Sequence, residues 1–260
     1  MELIDTHVHL NLGHYEVDQE EVIQRAISTG LIKMVSSGVT LESCQSAVAL
    51  AQRYPGLLYC GLSVHPQDAL IWSEEVRNTY LDMSQHPSVV AIGEIGLDYY
   101  RDHAPQEIQQ RVFREQIQLA QEVQLPLIIH VRDEGPAAYH DVLQILKEEK
   151  AETLGGVMHC FSGNLEFAQS ALALNFYLAF GGVITFKNAL NLQAVVREIP
   201  LKHLLLETDC PWLAPVPYRG KRNEPSYVLK VAEKMAELKN TSLEEVAQVT
   251  TKNAFQLFGF

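Results

Sequence analysis

The sequence predicts a single-domain (β/α)8 barrel of the TIM type, and three observations predict it. Eight short apolar runs recur along a chain of 260 residues. Their C-terminal ends fall near positions 7, 37, 64, 94, 130, 159, 181 and 209, and each interval is about one strand–helix unit. Eight such units fill a chain of about 250 residues, the usual size of this barrel.

The elements follow in order. ELIDTH (2–7) and IKMVSSG (32–38) are the first two strands. TLESCQSAVALAQRYPG (40–56) is a helix with Thr40 as its cap and Pro55-Gly56 as its stop. LLYCGLSV (57–64) and VVAIGEIG (89–96) are the next strands. In the helix over 106–124, Ile108 and Val112, Phe113 and Ile117, and Leu119 and Val123 are each four apart, one apolar stripe. PLIIHV (126–131), GGVMHCF (155–161), NFYLAFGG (175–182) and HLLLETD (203–209) complete the strands. The last helix opens on Ser242 with Glu245 three residues on, the pattern of a capping box. Continuous apolar runs mean strands covered on both faces, hence a parallel sheet. A doubly wound open sheet is the main alternative. No G-x-G-x-x-G follows the first strand, however, and no G-x-x-x-x-G-K-[ST] occurs. Without a Ser/Gly/Pro-rich linker, residues 1–260 read as one domain.

Composition excludes several functions. Lys and Arg total 20 against 32 Asp and Glu, a net charge of −12. A mean field of that sign repels phosphate, so a general nucleic-acid coat is excluded, although a local site can override it. No apolar run approaches the roughly 20 residues of a membrane helix, and the N-terminus lacks the pattern of a signal peptide. Cys44, Cys60, Cys160 and Cys210 are scattered, which argues against disulfides and zinc knuckles. The expectation is a cytoplasmic protein with no membrane partner and no obligate protein partner.

The residues at the strand ends carry the chemistry. Strand one ends in His7 and His9, strand four in Glu94, strand five in His130, strand six in His159 and strand eight in Asp209. In a barrel these ends converge on one face, where active sites of this fold lie. The spacing of His7 and His9 points both rings the same way. Taken singly, each has a bland reading: Glu94 could pair with Arg132, and Asp209 could cap the segment before Pro211. Six ionisable groups buried together without an ion would be very costly, and a metal removes that cost. Six ligands exceed a closed structural zinc site, and one catalytic zinc uses three. Two divalent ions sharing a carboxylate fit better, with Glu94 as the bridge. One site would use His7, His9, Asp209 and Glu94, and the other Glu94, His130 and His159. Mixed imidazole and carboxylate ligands suit Zn, Mn, Fe or Ni more than Ca. The resulting local positive charge suits a phosphate or a developing oxyanion, so the chemistry is phosphoryl or acyl hydrolysis.

These residues carry a family resemblance. DTHVHL (5–10), GLSVHP (61–66), GEIGLDYY (93–100), QLPLIIHVRD (124–133), MHCFSG (158–163), LLLETDCPWLAPVPYRGKRNEP (204–225) and NAFQLF (253–258) occur in order over nearly the whole chain. The chain resembles the TatD family of metal-dependent deoxyribonucleases, within the amidohydrolase-like barrels. Asn11 departs from the Asp common there, at a position that is not an expected ligand. The resemblance implies hydrolysis of DNA phosphodiesters, often 3′ to 5′ on single strands. It implies His7, His9, Glu94, His130, His159 and Asp209 as ligands, and Mg, Mn or Zn as the ions.

In the expected mechanism Asp209 accepts or orients the proton of an attacking water. Arg132, two residues past His130, is the preferred phosphate contact. His65 is either a phosphate contact or a turn residue restricted by Pro66. Arg219, Lys221 and Arg222 beside Tyr218 suit a groove that tracks a nucleic-acid backbone, or they are an ordinary solvated loop. Glu207 is a candidate to orient a ligand. Cys160 is expected to point away from His159 and pack. His14, His86, His103, His140 and His203 are expected at the surface or flanking helices. The rival readings are hydrolysis of another ester or amide on the same scaffold, such as an aminoacyl-tRNA ester, and a non-catalytic metal-binding protein.

Overall fold

The computed structural model describes residues 1–101 and 103–260. Strands and helices alternate as β1 (Leu3–Val8), α1 (Gln19–Ser28), β2 (Leu31–Ser37), α2 (Leu41–Arg53), β3 (Leu58–Leu62), α3 (Glu74–Met83), β4 (Val89–Asp98) and α4 (Gln106–Val123). They continue as β5 (Leu127–Arg132), α5 (Ala137–Glu148), β6 (Gly156–Met158), α6 (Leu165–Ala173), β7 (Phe176–Phe180), α7 (Leu190–Glu198), β8 (Leu204–Leu206), α8 (Val228–Lys239) and α9 (Leu243–Phe258). The strands pair in sequence order from β1 to β8, parallel throughout. The ring is drawn together by residues just past β8. Val8 bridges Cys210, the Asp209 N–H donates to the His7 carbonyl at 3.0 Å, and the His9 N–H donates to the Cys210 carbonyl at 2.9 Å. The expected (β/α)8 barrel is the architecture observed.

All eight apolar runs contain strands, but their ends differ from the expected ones. β4 continues past Glu94 because β5 pairs with it as far as Asp98 and Arg132. β6 and β8 stop early, at Met158 and Leu206. Beyond them the backbone turns left-handed, at Cys160 (φ 44°) and Asp209 (φ 54°). Thr40 caps α2 in a reciprocal box with Ser43. Only half of the expected box forms at α9: Ser242 accepts from the Glu245 N–H at 3.1 Å. The Glu245 carboxylate is taken by the neighbouring Thr241 hydroxyl instead.

One inner layer takes an apolar residue from each strand: Ile4, Val35, Tyr59, Ala91, Ile128, Val157, Ala179 and Leu205. Below it the C-terminus plugs the barrel with Ala254, Phe258 and Phe260. Phe260 meets Tyr59 with ring centroids 4.6 Å apart, and the Lys33 ammonium sits 4.7 Å from the Tyr59 ring. Strand side chains repeat every second residue. Two positions above Val35, Ile128, Val157 and Leu205 the same inner face therefore carries Ser37, His130, His159 and Glu207.

Helix α4 fixes two strand ends through buried amides. Gln116 accepts the Val64 N–H at 2.8 Å and donates to the Val64 carbonyl at 3.0 Å. Gln109 does the same for Asp98, at 2.8 and 3.0 Å. The two glutamines lie two helical turns apart, on one face of α4. They hold the backbone beside His65 and at Asp98. Among the described residues no helix is long and apolar enough to cross a membrane.

Candidate metal centre

The centre is organised around Glu94. Between β4 and β5 the register pairs Gly93 with Ile128 and Ile95 with Ile129, so Glu94 is the extra residue of a bulge. A bulge re-aims the side chain it carries, and here it turns a carboxylate into the barrel. Gly96 makes room alongside. Its φ is +136°, and a Cβ would lie 2.1 Å from the His130 carbonyl oxygen, so only glycine lets β5 approach at this height.

The two carboxylate oxygens of Glu94 face different partners. Oε2 lies 3.2 Å from His7 Nε2 and 3.5 Å from His9 Nε2. Asp209 Oδ1 closes that group, 3.5 Å from His9 Nε2 and 4.0 Å from His7 Nε2. Oε1 lies 2.7 Å from His130 Nδ1, 3.4 Å from His65 Nε2 and 3.5 Å from His159 Nε2. The six strand-end residues singled out in the sequence are thus brought together, and His65 joins them.

The outer ring nitrogens decide what each imidazole presents inward. His9 Nδ1 lies 3.0 Å from the Ser37 carbonyl oxygen. A carbonyl only accepts, so Nδ1 carries a proton and Nε2 is the nitrogen turned inward. His7 Nδ1 lies 3.3 Å from the Ser37 hydroxyl. His159 Nδ1 lies 3.0 Å from Glu207 Oε2, and His130 Nε2 lies 3.3 Å from Asp98 Oδ2. Carboxylates behind imidazoles fix ring orientation and raise ligand basicity. His65 is wired differently, because its Nδ1 accepts the Gln67 N–H at 3.2 Å. The neutral ring then carries its proton on Nε2 and points a donor, not a lone pair, into the cup.

Burial and charge set the protonation states. Burial and the neighbouring His159 push His7 down to about 3, so it is neutral near pH 7. Burial opposes a charge on His159, yet Glu207 and Glu94 raise it to about 10. Burial likewise opposes ionisation of Glu94, but His159 and His130 hold it well below the usual carboxylate range. Asp209 is held low against its burial by His9 and His159. Burial raises Glu207 above the ordinary glutamate value. Burial and His130 lower His65. Buried carboxylates beside imidazoles whose inward nitrogens can yield a proton to an ion are a donor set that fits divalent cations.

The remaining expected residues fall around the rim. Arg132 is exposed at the end of β5, its guanidinium 4.3 Å from the Tyr100 ring rather than paired with Glu94. Arg219 stacks 4.3 Å from the Phe186 ring, and Lys221 is exposed. Among the described residues neither pairs with a carboxylate. Arg222 is engaged, donating to both oxygens of Asp18 and lying over Tyr15. Glu207 occupies the orienting position expected of it. Cys160 corrects its expectation. Its left-handed backbone ends the strand geometry that would have turned it outward, and its thiol joins His159 and Glu207 in one cluster. Among the described residues His14, His86, His103, His140 and His203 enter no such cluster.

Three supporting residues were missed. Asp98 accepts from Gln67 Nε2 at 2.6 Å and backs His130. Its position four after Glu94 on one strand was the available signal. Ser37 supports both N-terminal histidines. Asp5 accepts from the Thr208 hydroxyl at 2.6 Å and the Thr208 N–H at 2.9 Å, holding the strand-eight end against β1. Burial raises Asp5 well above the usual carboxylate range.

A parallel barrel with clustered imidazoles and carboxylates on its C-terminal rim defines the class: a metal-dependent hydrolase. Comparison with known proteins gives the family. The model described as TatD related DNase matches residues 4–259, and the chain belongs to that family. It is 51% identical over 256 residues to the uncharacterized metal-dependent hydrolase YabD of Bacillus subtilis, covering 98% of each chain. It is 33% identical over 261 residues to the 3′-5′ ssDNA/RNA exonuclease TatD of a Pantoea species, covering 98% of this chain and 99% of the relative. Among solved structures, YJJV, a TatD homologue of Escherichia coli K12, superposes with a TM-score of 0.91 at 32% identity, over 99% of this chain and 98% of that one.

Proposed function

We propose that the protein hydrolyses phosphodiester bonds of single-stranded DNA from the 3′ end, with two divalent cations held in the cup. One observation carries this reading: Glu94 turns Oε2 to His7 and His9, which also face Asp209, and Oε1 to His130 and His159. Oε2 with His7, His9 and Asp209 would hold one cation, and Oε1 with His130 and His159 the other. The donor set suits Zn, Mn or Ni, with Mg where water completes the shell. Bound there, the pair supplies a nucleophile at neutral pH and offsets charge on the phosphate.

The chain's own residues bind and orient the reactants. Asp209 is held ionised and keeps 14% of its side chain exposed, so it can accept or orient the proton of an attacking water. His65, whose Nε2 lies 3.4 Å from Glu94 Oε1, would turn that N–H to a phosphate oxygen. Arg132, over the Tyr100 ring, presents a guanidinium fork at the rim that pairs with no carboxylate among the described residues. Arg219 and Lys221 meet the backbone further out. The name of the Pantoea relative supports the substrate class.

The test is incubation of the metal-reconstituted protein with 5′-labelled single-stranded DNA, with aminoacyl-tRNA and simple esters in parallel. Stepwise loss from the 3′ end, abolished by a chelator, is expected. Turnover of an ester with no cleavage of DNA contradicts the reading.

A further inference from the structure

The chain has two tryptophans, and they live in opposite environments. Trp72 is 7% exposed, and its indole N–H donates to Glu115. Trp212 is 44% exposed, on the segment just past Asp209. Its ring stands edge-on to His9, with centroids 5.0 Å apart, and to His14, at 5.8 Å. Its backbone is fixed on both sides: the N–H donates to the Asp209 carbonyl at 3.0 Å, and the carbonyl accepts from Asn223 Nδ2 at 2.6 Å. A large aromatic left half in water but held rigidly offers contact area at little conformational cost.

A second such ring stands across the cup. Tyr100 is 49% exposed, and its N–H donates to Asp98 Oδ1 at 3.1 Å. Arg132 stacks on it. Trp212 belongs to the β8–β1 side of an eight-stranded ring and Tyr100 to the β4–β5 side, halfway round. His9, beside Trp212, and His130, backed by the Asp98 that accepts from Tyr100, both face Glu94.

We propose that Trp212 and Tyr100 are stacking platforms for the two nucleobases that flank the scissile phosphate. This rests on the nuclease reading above and deepens it. Stacking on an aromatic face serves every base, because each has a π-face. Arg132, seated on Tyr100, places a cation where the adjoining phosphate runs. The substrate class is then a single strand with accessible base faces and little base preference. A duplex end must fray before its bases reach the two rings.

The experiment compares cleavage of an ordinary single strand with cleavage of one carrying abasic sugars on both sides of the scissile linkage. For Trp212→Ala we expect KM to rise roughly 5- to 100-fold on the ordinary strand, the loss of one stacked base, with kcat little changed. On the abasic strand the variant should match the wild type. Trp212→Phe should recover most of the loss, and Tyr100→Ala should repeat the pattern. A readout independent of turnover is intrinsic fluorescence of the metal-loaded protein, titrated with a phosphorothioate-linked strand. Trp212 should be quenched, and Trp212→Phe should abolish the change. If the wild type cleaves DNA but both alanine variants equal it on the ordinary strand, the inference is overturned and the nuclease reading stands. Equal impairment of Trp212→Ala on both strands would mean the ring acts only through His9, which also overturns it. If the wild type cleaves no single strand, the nuclease reading itself fails.

Discussion

The two ends of the barrel are both buried, and they are filled by opposite chemistry. At the N-terminal end Ile4, Val35, Ile128, Val157 and Leu205 meet Phe258 and Phe260 in an apolar plug. Two residues further along the same inward faces stand Ser37, His130, His159 and Glu207. The plug is stabilised by the transfer of apolar surface out of water, which needs no partner of particular geometry. The cup is different, since every polar atom in it must be answered. Among the described residues no buried side-chain nitrogen or oxygen lacks a hydrogen-bond partner. One end holds the fold and the other holds charge, so substitutions at the two ends should separate stability from activity.

The largest effect expected is Glu94→Ala. Removing the shared carboxylate should lower nuclease activity by more than about 10³-fold, beyond what deleting one preorganised donor costs at an active site. Metal content should fall with it. The metal-free protein should lose some thermal stability as well, because buried imidazoles are left without the carboxylate they face, but the loss of activity should far exceed it. The opposite experiment is Phe258→Ala in the plug. It should cost about 3–5 kcal/mol of stability by denaturant titration, while the folded fraction keeps wild-type metal affinity and kcat. A plug variant that lost its metal while folded would break the separation.

Smaller effects sharpen the contrast within the cup. Glu207→Ala leaves His159 Nδ1 and the Cys160 N–H without the carboxylate that now accepts both. Metal affinity should fall about 10- to 100-fold, read by calorimetry. The same pair sets a pH dependence. His159 is raised from 6.5 to about 10 in the folded, metal-free protein, so its stabilisation is complete below about pH 6.5 and is lost as pH rises toward 10. Metal-free protein should lose thermal stability over that window, and Glu207→Ala should flatten the loss. Metal uptake near neutral pH should release protons, because the ion replaces the one on His159. The smallest effect belongs to the rim. Neutralising Arg219 or Lys221 should weaken DNA binding modestly. It should also reduce the salt slope by about 0.7 for each phosphate of a single strand that is no longer neutralised.

The two ends were also unequally legible in the sequence. The cup stood out because His7, His9, Glu94, His130, His159 and Asp209 interrupt apolar runs at corresponding heights, and residues of that kind do not enter a core without a reason. The strand count and the barrel followed from the same runs. The plug did not stand out. Phe258 and Phe260 look like the end of an amphipathic helix, and only ring closure turns them toward Tyr59. The bulge at Glu94 was hidden too, since a register shift is a property of two strands and leaves no mark in one. Asp98, Ser37 and Asp5 act on the metal-competent residues through hydrogen bonds set by tertiary geometry. Trp212 was passed over beside the cation-rich loop, although exposure, not charge, distinguishes it. Arg222 looks equivalent to Arg219 and Lys221 in the sequence, and only the fold brings Asp18, far away along the chain, to hold it.

The most direct measurement is anomalous diffraction from crystals of the zinc-loaded protein. Two separate peaks are expected, one against Glu94 Oε2 between His7, His9 and Asp209, the other against Oε1 between His130 and His159. A single peak, or metal bound away from Glu94, would contradict the account.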